Sequence, residues 1–187
     1  SGRSDEALAK LRAAQDSDPL SSGPRMQQAM LHFHRWFRQD QPQAADADFG
    51  KFEQLAAEAL RLDRRAFQSR QAVGYLYLKA YKRTDDPQCL DKALDLLEQA
   101  VDLYPQDAMA HAILAWAAHQ FGRSDPVSID AAAHAARALE IDDVTPHDER
   151  MLKNRRLLAE ISTALADYPL IAQAREKSAR EWMLEIQ

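Results

Sequence analysis

Glycine is scarce in this chain of 187 residues, occurring only at positions 2, 23, 50, 74 and 122. No two of these stand close together in the chain. A glycine-rich phosphate cradle, whether a dinucleotide fingerprint or a P-loop, therefore has no place to form, and no glycine pair brackets a serine as in a nucleophile elbow. Cysteine occurs once, at Cys89, which excludes an intrachain disulfide and a thiolate metal cluster and leaves the redox compartment open. Valine, isoleucine and threonine together number 13, too few β-branched side chains for a sheet of any size. The one asparagine, Asn154, is followed by Arg155 and Arg156, so no glycosylation sequon exists. Cations are not in excess: 24 Lys and Arg stand against 29 Asp and Glu, a formal balance of −5, which disfavours nucleic-acid binding. The longest uncharged stretch, 108–122, is too short to span a bilayer and contains His111, His119 and Gln120. The chain begins with Ser1 and shows no signal peptide; it reads as a piece of a longer protein, with Ser1-Gly2 an added scar.

What is abundant is alanine, followed by leucine, the composition of packed helices. Four segments repeat one design, a helix ending, a turn and a new helix. They are Ala14-Gln15-Asp16-Ser17-Asp18-Pro19, Ala59-Leu60-Arg61-Leu62-Asp63-Arg64, Ala100-Val101-Asp102-Leu103-Tyr104-Pro105 and Ala138-Leu139-Glu140-Ile141-Asp142-Asp143. The spacing between their leading alanines shortens along the chain. The pattern resembles the end of a tetratricopeptide (TPR) repeat, whose basic period of about 34 is shorter than any of these spacings. Gly74 and Tyr77 fall on that family's first-helix sites, Ala93, Leu97 and Ala100 on its second-helix sites, and Leu114 and Ala115 on the equivalents one repeat later. Arg25, Arg70 and His111 stand where the family has its tryptophan. The added length falls between helices, in Gln39 to Asp48, Thr84 to Gln88 and Arg123 to Val127, polar stretches that a solenoid accepts on one face.

The resemblance implies an all-α fold, a superhelical stack of antiparallel helix pairs in one domain, 1–187, with repeats near 20–62, 65–104 and 106–142. An N-terminal helix, 4–16, precedes them and a divergent cap, 146–187, closes the stack. Helices are expected near 4–16, 24–38, 49–62, 65–83, 88–103, 107–121, 127–141, 147–166 and 170–187. Ser4, Ser22 and Asp107 supply oxygens at helix starts. In 88–103, Leu90, Ala93, Leu94, Leu97, Ala100 and Val101 form an apolar stripe opposite Asp91, Lys92, Asp95, Glu98 and Asp102.

Candidate chemistry is thin. Six histidines raise the question of a metal, but His32 and His34 diverge by about 200° on a helix, and His111 and His119 are eight apart, so histidines of the groove or surface are the simpler reading. Asp85-Asp86 and Asp142-Asp143 read as turn residues. Arg61, Arg64, Arg65 and Arg70 cluster at one turn, where docking of an acidic group competes with simple complementarity to a helix terminus. Neither a cofactor nor a metal is expected.

The more informative set is the groove that the TPR resemblance implies along the first helix of each pair. It comprises Met26, Met30, Phe33 and His34; Gln71, Tyr75, Leu78 and Lys79; Met109, Ala112, Trp116 and His119; and Arg150 and Asn154. Methionine and aromatic side chains suit a bound peptide or helix, and equally a helix of the same chain. The chaperone carboxylate clamp, which needs several asparagines, is excluded by the lone Asn154. A narrower resemblance joins Leu103 to Trp116 with Ala138 to Asp143 and His147 to Arg150. It is similar to the soluble TPR tail of bacterial membrane proteins of the O-antigen ligase or polymerase family, and implies an accessory module of a glycan-assembly enzyme with no catalytic residue of its own. The expectation is a noncatalytic interaction scaffold for a protein or peptide. The alternatives are that accessory module and a structural spacer or homo-oligomerisation module. No nucleic acid and no membrane insertion is expected, and the compartment is left open.

Overall fold

The structure, a computed structural model, describes residues 2–40, 46–121 and 129–145, and beyond them 159, 163, 172 and 173. The described residues form seven helices and no strand: α1 (Gly2–Ser17), α2 (Ser22–Phe37), α3 (Ala47–Leu62), α4 (Phe67–Thr84), α5 (Pro87–Leu103), α6 (Ala108–Phe121) and α7 (Ala131–Val144). The fold is all-α and repeat-like in its spacing. Helices α1 and α3 are equal in length, and the step from the start of α1 to that of α3 equals the step from α2 to α4. Of the two C-terminal helices expected at 147–166 and 170–187, all but four positions lie outside the described residues, as do Arg150 and Asn154.

Helix ends follow local chemistry. Asp107 accepts from the Met109 amide at 3.1 Å at the start of α6, and Asp130 from the Ala133 amide at 2.9 Å at the start of α7. Asp86 accepts from the Gln88 amide at 3.0 Å, with Pro87 at the first helical position of α5, where its missing N–H costs nothing. Asp85 takes the left-handed conformation, φ 53°, that ends α4, a region Asp tolerates better than most residues. Three expectations are corrected. Ser4 lies inside α1, which begins at Gly2. Ser22 lies inside α2, and the capping position belongs to Ser21, whose side chain makes no cap bond. Asp142 and Asp143 do not form a turn: both lie in the last turn of α7, which continues to Val144. Acids there oppose the helix dipole, but Thr145 closes the end by donating from its hydroxyl to the Ile141 carbonyl at 2.7 Å.

The chain divides into two compact units, Ser1–Leu96 and Leu97–Gln187. In the first, α2 packs on α1 and α3 and meets α4, and α3 also meets α4. Its core is aromatic. Phe33, Trp36, Phe49 and Phe52 are at most 2 % exposed, with Trp36 against Phe49 at 4.6 Å and Phe33 against Phe52 at 5.1 Å between ring centroids. Tyr77 of α4 completes it, 5.2 Å from Phe52. Burying such rings is worth roughly 1.5 to 3 kcal/mol each before packing geometry is counted. In the second unit α6 packs on α7 through alanines, Ala112 and Ala115 against Ala135, Ala136 and Ala138, with Trp116 and Leu139 closing the edges. Small side chains let the two backbones approach closely. Along α5, Leu90, Ala93, Leu97, Ala100 and Val101 are buried while Asp91, Lys92, Asp95, Glu98 and Asp102 are exposed, so its stripe runs as the sequence pattern has it.

Candidate functional site

In the first unit, a spacing of four positions aligns two rows of side chains. On α2 the row is Met26, Met30, His34 and, at the helix end, Arg38; on α4 it is Gln71, Tyr75, Lys79 and Arg83. One ring contact and one charge effect place the two helices side by side. The Lys79 charge acts on His34, and further along Arg83 lies over the Phe37 ring at 5.1 Å and donates to the Gln39 carbonyl at 2.6 Å. Numbers rise together on both helices, so α2 and α4 run in the same direction, and their offset matches the spacing of the first two sequence repeats.

His34 and Arg38 are exposed; Met26, Met30, Gln71 and Lys79 are half-buried. Tyr75 is 36 % exposed, and the Lys79 ammonium sits 4.9 Å from its ring centroid, a cation–π contact. Burial holds the His34 pKa below its ordinary value, and Lys79 and Arg38 lower it further, so the imidazole is neutral in a cationic setting. The buried Gln71 side-chain nitrogen has no hydrogen-bond partner among the described residues.

Two members of the expected groove in this unit do not reach the surface. Phe33 is 0 % exposed and belongs to the aromatic core, and Leu78 is 1 % exposed. Each immediately precedes an outward residue, His34 and Lys79, and a helix of about 3.6 residues per turn cannot present both neighbours on one side.

Met109, Ala112, Trp116 and His119 belong to the second unit. His119 is exposed and Met109 half-buried. Ala112 is fully buried, and half-buried Trp116 packs on the α6/α7 core and meets Phe121 edge-on at 5.4 Å.

The structure also joins side chains that no sequence spacing singles out. His111 and His134, far apart in sequence, face each other with their Nδ1 atoms 2.9 Å apart. His111 Nε2 lies 3.2 Å from the Pro105 carbonyl oxygen, to which it donates, so neutral His111 offers its Nδ1 lone pair and His134 donates across the gap. Burial lowers both pKa values. For His111, Arg137 adds to the lowering while the Pro105 bond and Asp107 oppose it; for His134, His111 adds to it while Asp130 and Asp102 oppose it. In the first unit His32 Nδ1 meets Asp48 Oδ1 at 2.7 Å, and Arg35 links Asp48 to Asp5, tying α1, α2 and α3 together. The reading of the histidines as groove or surface groups thus fails for His32 and His111, at 8 % and 6 % exposure. The missing signal was the distant partner, an aspartate or a second histidine, that makes a buried imidazole tolerable.

Tyr77 donates to Glu53 at 3.1 Å, and Lys92 pairs with the same carboxylate. Burial, then the Glu53 charge, pushes the Tyr77 hydroxyl well above the usual phenol range. Burial, reinforced by Asp86 and Glu53, pushes the Cys89 thiol up to about 12, which removes it as a nucleophile at neutral pH. Arg70 donates to the Asp63 and Ala66 carbonyls at 3.4 and 3.3 Å, serving the turn it follows. Among the described residues no three His, Cys, Asp or Glu side chains converge to hold a metal ion, and no helix is long and apolar enough to cross a membrane. No protein-family model matches the chain, and no curated protein is significantly similar to it.

Proposed function

We propose that this chain is a TPR-like helical scaffold, noncatalytic itself, that holds a peptide or helix of another protein on the α2/α4 face of its first unit. The observation that carries this reading is the pair of rows, Met30 and His34 on α2 and Tyr75 and Lys79 on α4, exposed or half-buried on helices whose other sides fill an aromatic core. An adaptable methionine and an amphipathic ring are the side chains of a recognition surface rather than of a solvated one. The common direction of α2 and α4, their recurrence at the repeat spacing and the buried Gly74 support the TPR-like arrangement. In the second unit, Trp116 resting on its own α6/α7 core favours the spacer reading for that part of the chain.

Photo-crosslinking tests the scaffold reading. A benzophenone amino acid replacing Tyr75 should trap discrete partners in native lysate, and the same group replacing Ala57, exposed on α3, should not. Identical products from both positions, or none from Tyr75, would reject it.

A further inference from the structure

The helix boundaries reveal a segregation of charge along the repeat. Helices α1, α3, α5 and α7 each contain at least three Asp or Glu residues, whereas α2, α4 and α6 contain none. A chain of formal charge −5 has thus cleared every carboxylate from alternate helices. Within the first unit the consequence is local and chemical. The α2/α4 face combines apolar groups, Met30 on α2 and the Tyr75 ring on α4, with two cations, Arg38 and Lys79, around a His34 that they help keep neutral.

We propose that the occupant of this face is an acidic segment of a partner protein, in which apolar side chains are followed by carboxylates. This rests on the scaffold reading and names its partner's chemistry. Apolar groups of the segment lie over Met30 and the Tyr75 ring, and its carboxylates reach Arg38 and the Lys79 ammonium. Lys79 is held in position by its cation–π contact, so little side-chain freedom is lost when it takes a carboxylate. Charge complementarity disfavours a basic segment, which would meet the Arg38 and Lys79 cations with no acid in either helix to receive it. The cations Arg25 and Arg35 of α2 are already paired, with Glu58 on α3 and with Asp5 and Asp48, and do not compete for the segment.

The test is fluorescence anisotropy of the full chain with short labelled peptides carrying a leucine pair followed by a run of glutamates. Comparators replace every glutamate by glutamine or by lysine, or every leucine by serine. The glutamate peptide should bind; losing its carboxylates or its leucines, or meeting Lys79→Glu in a chain of unchanged helicity, should weaken it by about tenfold or more. Arg38→Glu, at an exposed position, is a second variant, its helicity checked in the same way. Glutamine or lysine peptides binding as well as the glutamate peptide would overturn the acidic assignment, and so would a serine-substituted peptide binding as tightly, since that is attraction of bulk charge alone. In either of these cases discrete adducts at the Tyr75 photo-crosslinker would leave the scaffold reading standing. Absence of binding by every peptide also overturns the proposal, and if the Tyr75 adducts are missing as well, both readings fall.

Discussion

Adjacent residues on one helix can differ more than residues of unlike chemistry. Phe33 and His34 are neighbours, yet Phe33 is 0 % exposed while His34 faces outward. Phe33→Ala should lower stability by about 3 to 5 kcal/mol, because the surrounding rings cannot collapse into the space. Tyr75→Ala, at a partly exposed ring that carries a cation–π contact from Lys79, should cost about 1 kcal/mol. Urea denaturation of both variants checks the contrast, and equal losses would place Tyr75 in the core. Gly74 is buried, as are Val73 and Leu76 beside it, so a large side chain there must displace its neighbours. Gly74→Leu should therefore destabilise by roughly 1 to 3 kcal/mol through overpacking. A raised melting temperature would instead mark the site as open, since leucine is the better helix former. The sequence carried these outward rows but added one buried neighbour to each, Phe33 and Leu78. A projection from repeat sites is uncertain by one position, and one position on a helix is a rotation of about 100°.

Helices themselves were legible because apolar periodicity and turn residues agree along most of the chain. The ends were less so, since a cap is a matter of one hydrogen bond. Ser21 occupies the capping position of α2 without such a bond, whereas the Asp130 carboxylate accepts the Ala133 amide at 2.9 Å. Asp130→Ala should cost about 0.5 to 2 kcal/mol and Ser21→Ala only a few tenths. Chemical denaturation decides it, and a Ser21→Ala loss equal to that of Asp130→Ala would contradict the geometry. The extension of α7 through Asp142 and Asp143 was hidden for a related reason. Local propensity ends a helix before paired acids, but Ile141 is buried at 6 % exposure, and the Thr145 hydroxyl satisfies its carbonyl. Tertiary burial outweighed the dipole. The buried imidazoles were illegible in principle, since His111 needs a partner on another helix that no local pattern announces.

At the scale of the whole molecule, histidines couple the fold to pH. His34, His111 and His134 all have folded-state pKa values below the ordinary 6.5. In the unfolded chain each titrates near that ordinary value, so as pH falls through about 6.5 the unfolded state takes up protons that the folded state refuses. Stability is therefore complete above that pH and declines below it, before the carboxylates begin to titrate. The decline should be steepest for the second unit, because His111 and His134 share one short N–N contact. That contact accommodates one added proton, since one nitrogen must remain an acceptor; a second would set N–H against N–H across 2.9 Å. Asp102, Asp107 and Asp130 soften the penalty without removing it, and Arg137 adds to it. The expected outcome is a melting temperature that falls between pH 7 and pH 5, at about the range where free imidazole titrates. His134→Gln should flatten the curve in that window by removing one partner of the pair. His34→Gln should flatten it less, because His34 is exposed and has no such contact. Melting curves across this range, with the imidazole resonances of His111 and His134 followed by NMR, provide the check. A wild-type stability that rises on acidification, or a His134→Gln curve as steep as the wild type, would rule out the pair as the source of the pH dependence.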